Sequence, residues 1–204
     1  MTLDIGIAIT DNELDALLHD RLDLSRAEVV AALKMLPVYR TRAGSITAEE
    51  ARLLDAAGLV DDPASYSQVS VEAIATMAWL LKTAYAADEV ASGLRVNTAR
   101  IEQRRQARSL WAVDNNGSWA YPAMQFDVID NGGRRDLKVV RRLDRVLRAL
   151  PADVHPLAIA GFLLRPQQEL AIKGRPCTVR DWLSSGGAVG AALHLIDVGE
   201  WAST

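Results

Sequence analysis

The stretch that decides the fold runs from Ala84 to Phe126, AYAADEVASGLRVNTARIEQRRQARSLWAVDNNGSWAYPAMQF. Ala86 to Gly93 reads as a short helix and Gly93-Leu94-Arg95-Val96 as a turn. Asn97 then caps a second helix to about Arg108, because its side-chain oxygen can satisfy an N–H that every helix start leaves without a partner. Trp111-Ala112-Val113 and Trp119-Ala120-Tyr121 flank Asp114-Asn115-Asn116-Gly117. Asn-Gly between two such runs is the strongest short-range hairpin signal, since the tight turn needs positive φ. Pro122 has no N–H to donate to a ladder and ends the second run. The order is helix, turn, helix, hairpin. Val90, Leu94, Val96 and Ile101 supply a small core, Leu110 and Trp111 lead into the hairpin, Trp119, Tyr121 and Pro122 close it, and Phe126 returns to the core.

Outward from this stretch, residues 1–83 read as an acidic helical region. Leu14, Leu17 and Leu18 fall at helical spacing. Ser25 with Glu28 makes a capping box before Val29, Val30, Leu33 and Leu36. Thr47 with Glu50 repeats the device for a helix presenting Leu53, Leu54 and Ala57, stopped near Gly58. Asp61-Asp62-Pro63-Ala64-Ser65 is a polar breaker. Ser70 to about Thr83 is a helix apolar nearly all round (Ile74, Met77, Ala78, Trp79, Leu81), as buried helices are. On the other side, Asp127 to Gly133 (DVIDNGG) reads as a linker and Asp136 to Leu150 as a helix. Pro151, Pro156, Pro166 and Pro176 then punctuate helices at about Pro156–Leu164, Gln167–Ile172, Val179–Ser184 and Ala188–Val198. The fold class expected is mainly α, with a domain over 84–127 and a small helical domain over 134–204.

Composition agrees with a globular chain: 204 residues, 50% hydrophobic and 24% charged. The single Cys177 rules out an intramolecular disulfide framework and a cysteine zinc site. The longest nearly unbroken apolar run, Ala73 to Leu81, is far short of a membrane span, and Met1 to Thr10 lacks the basic start of a secretion signal. A cytoplasmic protein without membrane contact is expected.

Charge is uneven. Residues 1–83 carry net −6, residues 84–148 net +4 and residues 149–204 net −1. A basic middle beside an acidic head suggests an anion-facing module. Within it, with Ile101 inward, Arg100, Gln103 and Arg104 face out. Arg binds guanine bidentately and Gln or Asn binds adenine. Asn97 and Thr98 stand at the helix start, where N–H groups favour a phosphate. Arg95, Arg105 and Arg108 suit phosphates, and Asn116 at the hairpin tip can donate to a backbone or minor-groove edge. Arg134, Lys138, Arg141, Arg145 and Arg148 recur at one helical face beside Val139, Leu143, Val146 and Leu150, which gives either a further phosphate contact, a dimer seam, or plain solvent exposure.

With these residues, 84–126 resembles the winged-helix relatives of the helix-turn-helix, as in excisionases and MerR-like regulators, whose second helix lies in the DNA major groove. Residues 156–200 resemble the toxin-binding domain of Xre-type antitoxins with a ParS-like tail. Phe162, Pro166, Leu170, Gly174, Pro176, Trp182-Leu183-Ser184-Ser185-Gly186, Leu193 and Gly199 carry that likeness. The family's shorter members place the helix-turn-helix nearer the N-terminus and lack this acidic head. The two resemblances imply an antitoxin of a type II toxin–antitoxin system that represses its own operator as a homodimer. Its C-terminal domain, through Phe162, Trp182, Leu183 and Leu193, would occlude a RES-domain or PIN-domain toxin. The alternative is a stand-alone winged-helix transcription regulator; a pure protein inhibitor is a third reading.

No enzyme, cofactor or metal is expected. His19, His155 and His194 are scattered without ligand spacing, and His155 before Pro156 suits a cap. Cys177 has no neighbouring His to activate it. Ser185-Gly186-Gly187-Ala188-Val189-Gly190 lacks the strand and Lys of a phosphate loop and reads as a helix cap. Asp61-Asp62 and Glu49-Glu50 fit a breaker and a first helical turn.

Overall fold

The computed structural model describes residues 11–36, 52, 63–115, 117–130, 132–133 and 135–198. The chain divides into two compact units, Met1–Ala78 and Trp79–Thr204. Among the described residues the structure is mainly helical, with three two-stranded antiparallel sheets.

The first unit holds α1 (Asp11–Leu22), α2 (Arg26–Met35) and most of α3 (Pro63–Lys82). The capping box forms as the sequence suggests: Ser25 Oγ accepts from the Glu28 N–H at 3.3 Å, and Glu28 accepts from the Ser25 N–H at 2.6 Å. Arg26 reaches back to Asp11 and Asp15, both at 2.9 Å. The helix expected from Thr47 to Gly58 lies outside the described residues, apart from position 52. Helix α3 begins at Pro63, well before Ser70. Proline belongs at a helix's first position, where its missing N–H costs nothing, so the breaker is shorter than its composition suggests. Toward the end of this helix Met77, Ala78 and Leu80 are buried while Trp79 stays exposed.

The second unit opens with the expected pair, α4 (Ala87–Leu94) and α5 (Thr98–Gln106). Arg95 takes the left-handed conformation (φ 56°) that ends α4, and Asn97 caps α5 by accepting from the Arg100 N–H at 2.8 Å. The first hairpin pairs β1 (Val113–Asn115) with β2 (Ser118–Ala120) around Gly117, which sits at φ 87° with its N–H on Asp114 at 2.8 Å. Val90, Ala91, Ile101, Leu110, Tyr121, Phe126 and Leu137 form one buried cluster.

Two sequence expectations fail next. The supposed linker is β3 (Phe126–Asp130), paired with β4 (Arg135–Val139), so Asp127 to Asp130 is strand and Arg135 to Val139 is not helix. The turn repeats the first hairpin's chemistry, with Gly133 at φ 89° donating to Asp130 at 2.9 Å. Helix α6 (Leu143–Ala149) starts seven residues later than expected. The five basic residues therefore do not share a helical face: Lys138 is on β4, Arg141 in the bend, Arg145 and Arg148 on α6, and Arg134 lies outside the described residues.

The C-terminal part is less purely helical than expected. Helix α7 (Pro156–Leu164) is capped by His155 Nδ1, which accepts from the Leu157 N–H at 3.3 Å. Gln167 to Ile172 then proves to be strand, within β5 (Pro166–Ile172) paired with β6 (Arg175–Thr178). Helices α8 (Val179–Ser184) and α9 (Val189–Val198) follow where the sequence places them. Arg180 of α8 clasps the second hairpin, donating to the carbonyls of Met124 (2.9 Å) and Phe126 (3.2 Å) and to Asp127 (3.0 Å).

Gly93 of α4 marks where the second hairpin meets the helix pair. A Cβ there would lie 2.5 Å from Cγ of Leu137, whose body is fixed in β4. Exchange of a helical glycine for alanine normally gains about 0.5–1 kcal/mol. Here overpacking reverses the sign, and Gly93→Ala should destabilise by about 1–2 kcal/mol in urea unfolding. A second expectation concerns Tyr121, whose hydroxyl is held above the ordinary phenol range by burial, with the Glu102 charge adding and Arg105 opposing. The unfolded chain releases this proton first, so its contribution is complete below the ordinary phenol value of about 10 and declines as pH rises through the folded one. Tyr121→Phe should remove that alkaline decline from a pH series of melting temperatures.

Candidate nucleic-acid interface

The arginines between 95 and 108 share one segment and do different jobs. Arg105 lies over the Trp119 ring, 3.9 Å from its centroid, and pairs with Glu102. That hydrogen bond holds the Glu102 carboxyl below its usual range and the Arg105 guanidinium above its own. Arg105 therefore braces the first hairpin against α5. Arg108, left-handed at φ 51°, donates to the carbonyls of Leu147 (3.0 Å), Leu150 and Pro151 (3.1 Å), the groups that the end of α6 leaves without helical partners. Arg95 pairs with the buried Asp136 of β4. These three were expected at phosphates; the structure commits two of them to holding the unit together and ties the third to β4.

Arg100, Gln103 and Arg104 are different. Arg100 and Gln103 are exposed, Arg104 is half-buried, and none pairs with a carboxylate among the described residues. Arg100 donates to Gln103 Oε1 at 3.1 Å, which fixes the two side chains relative to one another. Asn97 and Thr98 are exposed at the start of the same helix, and the Asn97 side-chain oxygen is occupied by its cap. Asn116 lies outside the described residues.

The same three side chains line one wall of an open cleft of about 640 Å³. Its other wall is the bend from β4 into α6, with Lys138, Arg141, Arg142 and Arg148. Among the described residues Asp144 is the one acidic side chain lining the cleft, and it pairs with Arg148 at 2.5 Å. Arg142 had no role in the sequence reading. Its neighbours 134, 138, 141, 145 and 148 fit a helical period and it does not, so only the observed bend could bring it in.

The residues expected at a toxin divide differently. Phe162 and Leu183 are buried, at 2% and 1% exposure, in the core of the C-terminal part with Leu163, Leu170 and Val179. They pack the unit. Trp182 is half-buried; its indole N–H donates to the Ala188 carbonyl at 3.0 Å, and its ring lies where a Cβ on Gly187 would sit, 2.3 Å away. Leu193 is half-buried on α9. Ser185 and Gly186 end α8, the cap reading of that glycine-rich run. Cys177 is half-buried on β6, and burial pushes its thiol up, with Asp181 adding.

No family model, curated protein or solved structure matches the chain. Among the described residues no helix is long and apolar enough to cross a membrane, and no three His, Cys, Asp or Glu side chains come together as a metal site would require.

The two kinds of arginine are separable by stability. Arg108→Ala removes a charged donor from three carbonyls and should cost about 2 kcal/mol in urea unfolding. Arg104→Ala, with no side-chain partner among the described residues to lose, should stay within about 0.5 kcal/mol of the parent.

Proposed function

We propose that this chain is a duplex-DNA-binding transcription regulator. In this reading α4, α5 and the β1–β2 hairpin act as a winged helix-turn-helix, with α5 entering the major groove. The observation that carries it is the set Arg100, Gln103 and Arg104: bidentate donors and an amide on one outward face, without acidic partners among the described residues, on a helix whose other side is anchored by Ile101. Bases are read by such groups, whereas phosphate contacts position the protein without reading sequence. A helix of this length reads few base pairs, so useful specificity calls for two copies on a two-fold operator.

Within that function we favour the antitoxin of a type II pair, which binds its own operator and occludes a cognate RES-domain or PIN-domain toxin by contact rather than chemistry. What supports it is the order of the C-terminal elements: α7, a hairpin, α8, a glycine turn and α9, with the resemblance residues Phe162, Leu170 and Leu183 as its core. They are framework residues, so any toxin contact belongs to exposed positions around them. The burial of Phe162 and Leu183 also favours the second reading, a stand-alone regulator. Co-expression with the neighbouring gene product followed by pull-down separates the two.

Selection of bound duplexes from a random pool tests the DNA reading. The parent should enrich a motif, and Arg100→Ala with Arg104→Ala should flatten it, each lost base contact weakening binding to the preferred duplex about 10–100-fold. An unchanged motif would remove α5 from the groove.

A further inference from the structure

We propose that the β4–α6 bend, through Lys138, Arg141 and Arg142, is a second wall of the interface that grips the sugar–phosphate strand flanking the groove into which α5 is read. The inference rests on the DNA reading of α5 and adds a distinct surface to it.

Three observations carry it. The cleft of about 640 Å³ has α5 on one side and this bend on the other, so a strand beside α5 faces both. Lys138, Arg141 and Arg142 are exposed, and none has an ion-pair partner among the described residues. Arg148, further along the same wall, is already neutralised by Asp144. The third observation is placement. The turn from β4 into α6 sets Arg142 at φ 62°, and this bend puts its side chain into the lining of the cleft beside Lys138 and Arg141. Glycine is the ordinary occupant of that left-handed region. Arg and Lys side chains of this kind bind phosphate oxygens in a duplex and release its counterions.

The left-handed site supplies a clean test. Arg142→Gly removes the guanidinium and leaves a residue that prefers the same φ, so the fold is retained. Arg142→Gly, Arg141→Ala and Lys138→Ala are compared with the parent on the duplex it selects and on a random-sequence duplex, over a series of salt concentrations. Arg175→Ala, an exposed arginine on β6 outside the cleft, controls for net charge. Each cleft variant should lower the slope of log affinity against log salt by about 0.9 and weaken binding roughly eightfold at about 0.1 M salt, equally on both duplexes. Arg175→Ala should do neither. Slopes that match the parent's, or that fall as much for Arg175→Ala, overturn the clamp while leaving the α5 reading intact. A parent that binds neither duplex overturns both.

Discussion

The close approach of Gly93 to Leu137 is the constraint on which the second unit depends. Only a residue without a Cβ lets β4 lie against α4, since the methyl of an alanine would fall 2.5 Å from Cγ of Leu137. Leu137 thereby joins Val90, Ile101, Tyr121 and Phe126 in one buried cluster. The second hairpin then becomes part of the helix pair's core. Gln125 fixes the entry to that hairpin. Its fully buried side chain accepts from the Trp111 N–H at 2.9 Å and donates to the Trp111 carbonyl at 2.7 Å, as a neighbouring backbone strand would. A buried amide with these partners is satisfied where an unpaired one would be costly.

This constraint explains which elements were legible in the sequence. The α4–α5 pair, its Asn97 cap, the first hairpin and the Ser25 capping box are local devices, each complete within a few residues, and they form where the pattern puts them. The second hairpin also carries a turn signal, Asp130 followed by Gly132-Gly133. Its strands, however, read FDVID and RDLKV, short and polar. Val128 and Ile129 remain exposed, so little buried alternation advertises a sheet. What makes these residues strand is tertiary, namely Leu137 on Gly93 and Arg180 on Asp127, and neither contact is visible at short range. The helical spacing of Lys138, Arg141, Arg145 and Arg148 was real as arithmetic, yet it crossed a bend. Gln167 to Ile172 failed for a related reason: a short mixed run pairs with a partner that begins after Lys173-Gly174, and pairing overrides a weak local preference.

The candidate site was legible in kind but not in allocation. Five arginines between 95 and 108 signal an anion-facing segment. Their separate duties depend on partners distant in sequence, such as Asp136 for Arg95 and the end of α6 for Arg108. Arg105 could have been assigned from nearby residues, since Glu102 stands three positions before it and Trp119 on the adjoining hairpin.

The allocation has a physical logic. Guanidinium groups that end helices or stack on an indole use Arg's planar set of donors and its weak hydration, which makes the same residue type suited to internal bracing and to external recognition. Bracing withdraws charge from the surface: Arg105 is neutralised by Glu102 and Arg108 is spent on carbonyls. Of the side chains that bracing spares, Arg100, Arg104, Lys138, Arg141 and Arg142 line one cleft, while Arg135 and Arg145 are exposed outside it. An interface assembled this way is rigid before a ligand arrives, because α5 is held by Ile101 and by Arg105 against Trp119, and the opposite wall is held by Leu137. Rigidity of that kind lowers the ordering cost of binding. It also means that the two walls keep a set separation, which on the proposed DNA reading suits a ligand with regularly spaced negative charge better than one whose charges must be gathered.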